Sequence, residues 1–155
     1  MSRNLRDTTY RQFDVDELED AHILDSLVEP IDPAFGDATG PNQAELKKLI
    51  DGNRFFDALA LVLQNPPLKG DQETKNATAQ AVLKLLTSFK QSEVEGVIKK
   101  LNEKQLLMLV KYIYKVMELT QDFQTSQLLC AWNTACFNES GYGPIGYTLC
   151  SRYRL

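Results

Sequence analysis

The stretch Leu109-Val110-Lys111-Tyr112-Ile113-Tyr114-Lys115 decides the fold of this 155-residue chain. It lies within a longer run of helical spacing in which hydrophobic side chains occupy nearly every face of the helix. A helix of this kind is covered by other helices or by another protein, because its apolar surface is unfavourable in water. The stretch therefore predicts packing and assembly, and its residue types offer little for catalysis.

Helical signals continue through almost all of residues 42–155. Apolar residues recur at spacings of three and four, and the breaks between these segments contain Gly, Asn or Pro. The sequence predicts an all-α domain over residues 42–155, a single bundle of about seven short helices that is similar to an α–α superhelix. The residues expected in its core are Leu83, Leu86, Leu106, Leu109, Ile113 and Trp132.

Capping residues predict where several helices begin and end. The segments Ser92–Glu95 and Asn102–Gln105 each match a capping box, in which the first and last side chains bond to each other's backbone N–H groups. Asp122 or Thr125 is expected to cap the helix that follows. Gly52 is expected to end the first helix, because glycine is common at helix C-termini.

Residues 1–41 differ from the rest in charge and in pattern. Residues 1–40 contain ten acidic and three basic side chains, a net charge of −7, whereas the remainder carries +3. Pro30, Pro33 and Gly36 interrupt regular structure, and apolar residues are sparse. The sequence predicts a flexible, extended and mostly irregular acidic N-terminal arm. Nucleic acid is not an expected partner, because phosphate binding needs a concentrated basic face.

One segment of the arm, residues 10–18, alternates apolar side chains with acids. Its sequence is Tyr10-Arg11-Gln12-Phe13-Asp14-Val15-Asp16-Glu17-Leu18. Such a pattern suits a short motif that docks on a partner and becomes ordered there. A solvated linker with incidental aromatic residues explains it equally well. If it docks, the candidate partner-binding residues are Tyr10, Arg11, Phe13, Asp14, Val15, Asp16 and Glu17.

A second candidate partner surface lies on the body. Lys111 and Lys115 are four residues apart and share one helix face. They form either a solvated edge or cationic contacts to a partner subunit. Tyr112 and Tyr114 join them as tentative contacts, because large aromatic residues serve both in cores and at interfaces.

Motifs that might carry chemistry lack the context they need. Gly141-Tyr142-Gly143-Pro144-Ile145-Gly146 matches the dinucleotide fingerprint, yet a helical pattern precedes it instead of a strand, which favours a helix–helix turn. The only histidine, His22, lies in the arm. The cysteines at 130, 136 and 150 lack the C-x-x-C spacing of a zinc site, and we expect them to be reduced and buried. The sequence predicts no enzyme, cofactor or metal site.

Targeting and membrane signals are also missing from the sequence. The longest apolar run of the central segment, Leu106–Val110, is far shorter than the ~20 residues of a membrane span. The first residues lack the apolar region of a secretory signal. We therefore expect a cytoplasmic protein.

Four stretches together resemble one known family. They are Phe13-Asp14-Val15-Asp16-Glu17, Asn65-Pro66-Pro67, the segment from Val82 to Glu95, and Val110-Lys111-Tyr112-Ile113-Tyr114-Lys115. In this order they are similar to subunit 5, the smallest subunit of the actin-related protein 2/3 complex. The chain departs from that family's usual pattern at Val116, at Asn133 and over Cys150–Leu155.

The resemblance implies a non-catalytic structural subunit of a complex that nucleates branched actin filaments. It implies that the helical body packs on subunit 4 and on the β-propeller subunit 1, and that the arm tethers actin-related protein 2. It also places the protein in the actin cytoskeleton, in contact with actin filaments through the complex. A free-standing helical adaptor that binds peptides in a groove between helices is the alternative.

Overall fold

A computed structural model describes residues 38–151 and 153–155, which belong to one compact unit, Asp32–Leu155. The helices within them are α1 (Gln43–Asp51), α2 (Phe55–Gln64), α3 (Gln72–Ser88), α4 (Val94–Ile98), α5 (Glu103–Leu119), α6 (Phe123–Ser140) and α7 (Gly143–Cys150). The described residues contain seven α-helices and no strand, so the predicted all-α fold is confirmed. The predicted arm falls almost wholly outside the described residues, and its boundary at residue 41 stays a prediction.

Helix α5, which contains the deciding stretch, lies at the centre of the body. It contacts α2, α3, α6 and α7. Leu109 and Ile113 are completely buried, and each such side chain contributes about 1.5–3 kcal/mol when removed from water. The apolar faces of α5 are thus largely covered by helices of the same chain.

The predicted core is confirmed at five of its six positions: Leu86, Leu106, Leu109, Ile113 and Trp132 are buried. The prediction is wrong for Leu83, which is only half-buried. The buried face of α3 runs instead through Val82, Leu85 and Leu86. Since successive helix residues are about 100° apart, Leu83 lies at the edge of that face rather than at its centre.

A chain of three aromatic rings joins α2 to α6. Phe89, directly after α3, meets Phe55 edge-on with ring centroids 6.0 Å apart. Its other side meets Trp132 of α6 at 5.6 Å, again edge-on. Edge-to-face geometry is favourable for aromatic pairs and adds to the burial of their surface. These contacts hold the end of α3 between α2 and α6.

The capping predictions have mixed outcomes. The Asn102 side chain accepts from the Gln105 N–H at 2.8 Å, and the Gln105 side chain accepts from the Asn102 N–H at 3.0 Å, so this capping box is confirmed. Asp122, rather than Thr125, caps α6, since its carboxylate accepts from the Thr125 N–H at 2.9 Å. The predicted cap at Ser92 is wrong.

Backbone geometry explains why Ser92 is not a cap. The segment Gln91–Glu93 forms a 3₁₀ turn, and the Glu93 N–H bonds to the Lys90 carbonyl at 2.9 Å. Because the turn leads directly into α4, the first N–H groups of the helix have no Ser92 side chain in position to accept from them. Helix α4 ends at Ile98, and Leu101 lies in a turn after it.

The end of α1 follows the prediction at Gly52 but uses Asn53 for the reversal. Asn53 has a left-handed φ of 56°, and its N–H bonds to the Ile50 carbonyl at 3.0 Å. The Arg54 N–H bonds to the Leu49 carbonyl at 2.9 Å. These two bonds define a Schellman motif, in which asparagine tolerates the left-handed position that glycine usually occupies.

Candidate interaction surface

Lys111 lies at the middle of α5 and is only 5% exposed. Its Nζ donates to the Ser151 Oγ at 2.9 Å and lies 5.5 Å from the ring centroid of Tyr147. Burial, followed by the positive charge of Lys75, lowers the pKa of Lys111 to about 8. The alternative that Lys111 belongs to a solvated edge is therefore wrong.

The other three predicted body residues differ in accessibility. Tyr112 is completely buried, and burial raises the pKa of its hydroxyl well above the usual range. Tyr114 is 37% exposed, and the Lys115 Nζ forms an ion pair with Glu118 at 3.2 Å. A partner can thus touch Tyr114 directly, whereas the Lys115 side chain is only 12% exposed and Lys111 and Tyr112 lie beneath the surface. The arm residues Tyr10–Glu17 lie outside the described residues.

A groove of about 310 Å³ runs between α3 and α5. It is lined by Ala79, Gln80, Leu83, Lys84, Val116 and Leu119. Its size is at the lower end of ordinary ligand pockets. The groove was not predicted from the sequence, because Leu83 was expected in the core and the groove depends on how α3 and α5 pack.

Three large apolar side chains on α6, α7 and the turn between them project into solvent. Phe123, Tyr142 and Leu149 are 79%, 77% and 75% exposed. Only Tyr142 has an aromatic neighbour, Phe137, at 4.8 Å between ring centroids. Exposed apolar groups of this size are typical of interaction surfaces when they cluster. No pattern in the sequence separated them from core residues.

The C-terminal segment, residues 151–155, joins α3 to α5. Lys75 of α3 donates through its Nζ to the Arg154 carbonyl at 2.8 Å, and Leu155 is buried. Ser151, at the start of the segment, accepts from Lys111 of α5. Sequence reasoning did not anticipate this contact, because it depends on tertiary packing between residues some 80 positions apart.

The cysteines and the glycine motif carry no assembled chemical site. Cys136 is buried, and burial raises the pKa of its thiol to about 12. Cys130 and Cys150 are exposed, so the expectation that all three cysteines are buried is wrong for these two. Gly141 follows α6 and Gly143 opens α7, which confirms the helix–helix turn.

The described part of the chain also lacks the features of a metal site and of a membrane span. No three His, Cys, Asp or Glu side chains there come together as a metal site would require. None of its helices combines the length and the apolar character needed to cross a bilayer.

The described residues define a small all-helical protein that exposes several large apolar side chains. A model of the family described as the ARP2/3 complex 16 kDa subunit (p16-Arc) matches residues 9–155. The chain belongs to this family.

Named relatives agree with the family over nearly the whole chain. A Caenorhabditis elegans protein, the probable actin-related protein 2/3 complex subunit 5, is 34% identical over 149 residues, which cover 96% of this chain and 98% of the relative. The Xenopus laevis subunit 5-B is 33% identical, with 98% of each chain covered. The Homo sapiens subunit 5-like protein is 30% identical, again with 98% of each covered.

Proposed function

We propose that this protein is a non-catalytic structural subunit of the actin-related protein 2/3 complex, which nucleates branched actin filaments. The observation that carries the proposal is the extent of the family match, residues 9–155. The match includes the arm segment Tyr10–Glu17 as well as the helical body, so both parts belong to the shared pattern. The site of action is then the cytoplasmic actin cytoskeleton.

The body supplies the surfaces for neighbouring subunits. Subunit 4 and the β-propeller subunit 1 are the proposed neighbours, as the family resemblance implies. The exposed apolar groups Phe123, Tyr142 and Leu149 support this role, because burying them against a partner removes an unfavourable surface from water. Tyr114 and Lys115 add a mixed aromatic and cationic contact on another helix.

The arm tethers actin-related protein 2. Phe13 and Val15 supply the apolar contacts, and Asp14 and Asp16 meet basic groups on the partner. A flexible connection makes the second contact intramolecular, with an effective concentration of roughly millimolar for a short linker. Tethering therefore strengthens retention of actin-related protein 2 without requiring a large docking surface.

Native affinity purification of the full chain from its source cells tests the proposal. We expect two actin-like proteins and a β-propeller subunit to co-purify in fixed proportion. Size-exclusion chromatography of the same extract should place the chain in a large assembly. A single peak at the 17.6 kDa mass of the isolated chain would contradict the proposal.

The alternative function, a free-standing adaptor that binds peptides, is favoured by one observation, the groove between α3 and α5. An adaptor must be soluble and monodisperse alone, whereas a subunit that exposes apolar side chains should associate. Sedimentation of the purified chain over a range of concentrations distinguishes them. Monodisperse behaviour together with peptide capture that is lost in Leu83→Asp would support the adaptor.

A further inference from the structure

Two lysines donate hydrogen bonds to the C-terminal segment. Lys111 donates to the Ser151 Oγ, and Lys75 donates to the Arg154 carbonyl. Among the residues that the structure describes, no acidic side chain forms an ion pair with either lysine. The acceptors of both ammonium groups are therefore neutral oxygens, one of them a serine hydroxyl.

Among the described residues, this arrangement leaves the Lys111 charge without an ion-pair partner in a place with little water. Lys111 is almost completely buried, and a buried charge without a counter-ion is unfavourable. The π face of Tyr147, 5.5 Å away, offsets only part of that cost. Lys75 adds a second positive charge close enough to act on Lys111. The cluster would gain most from an anion at the position of the Ser151 hydroxyl.

We propose that Ser151 is a phosphorylation site whose phosphate is bound by Lys111 and Lys75. A phosphoserine carries a charge of about −1.5 to −2 and three strong acceptor oxygens. The ester oxygen starts 2.9 Å from the Lys111 Nζ, so the phosphate oxygens reach the ammonium group with little movement. The modification replaces the neutral acceptor of the Lys111 ammonium group with a negatively charged one and fixes the C-terminal segment on α3 and α5.

The chemical step is an ordinary phosphoryl transfer from a nucleoside triphosphate, catalysed by a protein kinase. The Ser151 Oγ forms a bond to the γ-phosphorus, and the bond from that phosphorus to the β,γ-bridging oxygen breaks. The nucleoside diphosphate leaves, and the hydroxyl proton passes to the base of the kinase. Ser151 is accessible for this step because it follows α7 in an extended conformation and is only half-buried.

Cys150 permits a direct test on the full chain with no change of sequence. Native chemical ligation joins residues 1–149, as a thioester, to a synthetic peptide of residues 150–155 that begins with Cys150 and contains phosphoserine at 151. The unmodified peptide gives the matched control. The same ligations are made in two variants. Lys111→Met removes a lysine proposed to bind the phosphate, and Lys84→Met removes an exposed lysine of α3 as a control.

Two measurements report on the bound phosphate. The titration midpoint of the Lys111 Nζ, followed by NMR, should rise by about one pH unit or more when an opposite charge is placed beside it. Release of Leu155 by carboxypeptidase should slow about tenfold, because the segment is held more firmly. Lys84→Met should keep the slower release, and Lys111→Met should lose most of it.

Equal or faster release of Leu155 after phosphorylation would overturn the proposal, as would an equal effect in the Lys111→Met background. The proposal also requires that Ser151 is phosphorylated in the source cells. Mass spectrometry of the protein purified from its source cells with phosphatase inhibitors should find phosphate on the peptide that contains Ser151. Its absence at a detection limit well below stoichiometric would equally overturn it.

Discussion

Lys111 carries a positive charge into the centre of a helical bundle, and the contacts of this one residue explain its altered titration. Burial is the larger cause of its lowered pKa, and the charge of Lys75 is the second. When folding lowers the pKa of a base, the unfolded state binds more protons than the folded state at pH values between the two pKa values. The contribution of Lys111 to the free energy of unfolding therefore increases as the pH rises through that range.

The first prediction concerns this pH dependence. Folding lowers the pKa of Lys111 from 10.5 to about 8, so the unfolded state holds more protons between these two pH values. The Lys111 contribution to the free energy of unfolding should therefore rise with pH over this window. Replacing Lys111 with Met removes the ionisable group and keeps its length. Urea denaturation at several pH values should show wild type gaining stability relative to Lys111→Met as the pH rises.

Only the difference between the two proteins is informative here. Burial raises the pKa of Cys136 to about 12 and also raises the pKa of Tyr112. Because their unfolded forms ionise first, both groups reduce the free energy of unfolding at high pH. They are present in both proteins, so their effect cancels in the difference. Parallel stability curves from pH 8 to 10.5 would contradict the first prediction.

The second prediction compares two glycines of one motif. Gly141 has φ 66° and ψ −148°, a region that side chains strongly disfavour, so Gly141→Ala should cost about 1–3 kcal/mol. Gly146 lies within α7, and a Cβ there would meet no atom within 4 Å. Gly146→Ala should therefore stabilise by about 0.5–1 kcal/mol. Chemical denaturation measures both, and equal signs would refute the conformational explanation.

At the level of elements, the two predicted capping boxes had different outcomes and provide a matched pair. The third prediction is that Asn102→Ala destabilises the protein by about 1 kcal/mol, because the Gln105 N–H loses its side-chain acceptor. Ser92→Ala should change the free energy of unfolding by less than about 0.5 kcal/mol, since surface changes without a cap are nearly neutral. Comparable losses in both variants would mean that Ser92 caps α4 in solution.

Helices were predictable from the sequence where local signals agreed with the packing. The Asn102 box and the apolar faces of α5 specify a helix with little help from distant residues. The Ser92 motif is as clear in the sequence, but the extended backbone at Phe89 and Lys90, fixed by the aromatic contacts of Phe89, leads into a 3₁₀ turn instead. Tertiary packing overrode the local signal there.

The candidate surface was less predictable for the same reason. Spacing placed Lys111 and Lys115 on one face of α5, yet only the fold shows that the C-terminal segment covers Lys111 and leaves Lys115 near the surface. The groove beside Leu83 also arises from two helices that are distant in the sequence. Side-chain periodicity describes one helix at a time, whereas a surface is made by several.

For the whole molecule, the proposed division of labour between arm and body has a testable consequence. The body residues of the described unit form a continuous core of their own, from α1 to α7. Changes confined to residues 1–20 should therefore leave the body folded and able to enter the complex. Their effect should fall on the retention of actin-related protein 2.

The fourth prediction is that replacing Phe13 and Val15 with Ala weakens this retention and lowers actin nucleation by reconstituted complexes. In an extended segment the two side chains share a face and enter the partner together, with Asp14 and Asp16 on the other face. Replacing the two acids with Asn should instead make the retention of actin-related protein 2 less sensitive to ionic strength, because fewer charge pairs remain to be screened. Circular dichroism and incorporation of the chain serve as controls for the body. If a chain that lacks residues 1–20 supports unchanged nucleation and unchanged branch lifetime, the arm does not tether actin-related protein 2.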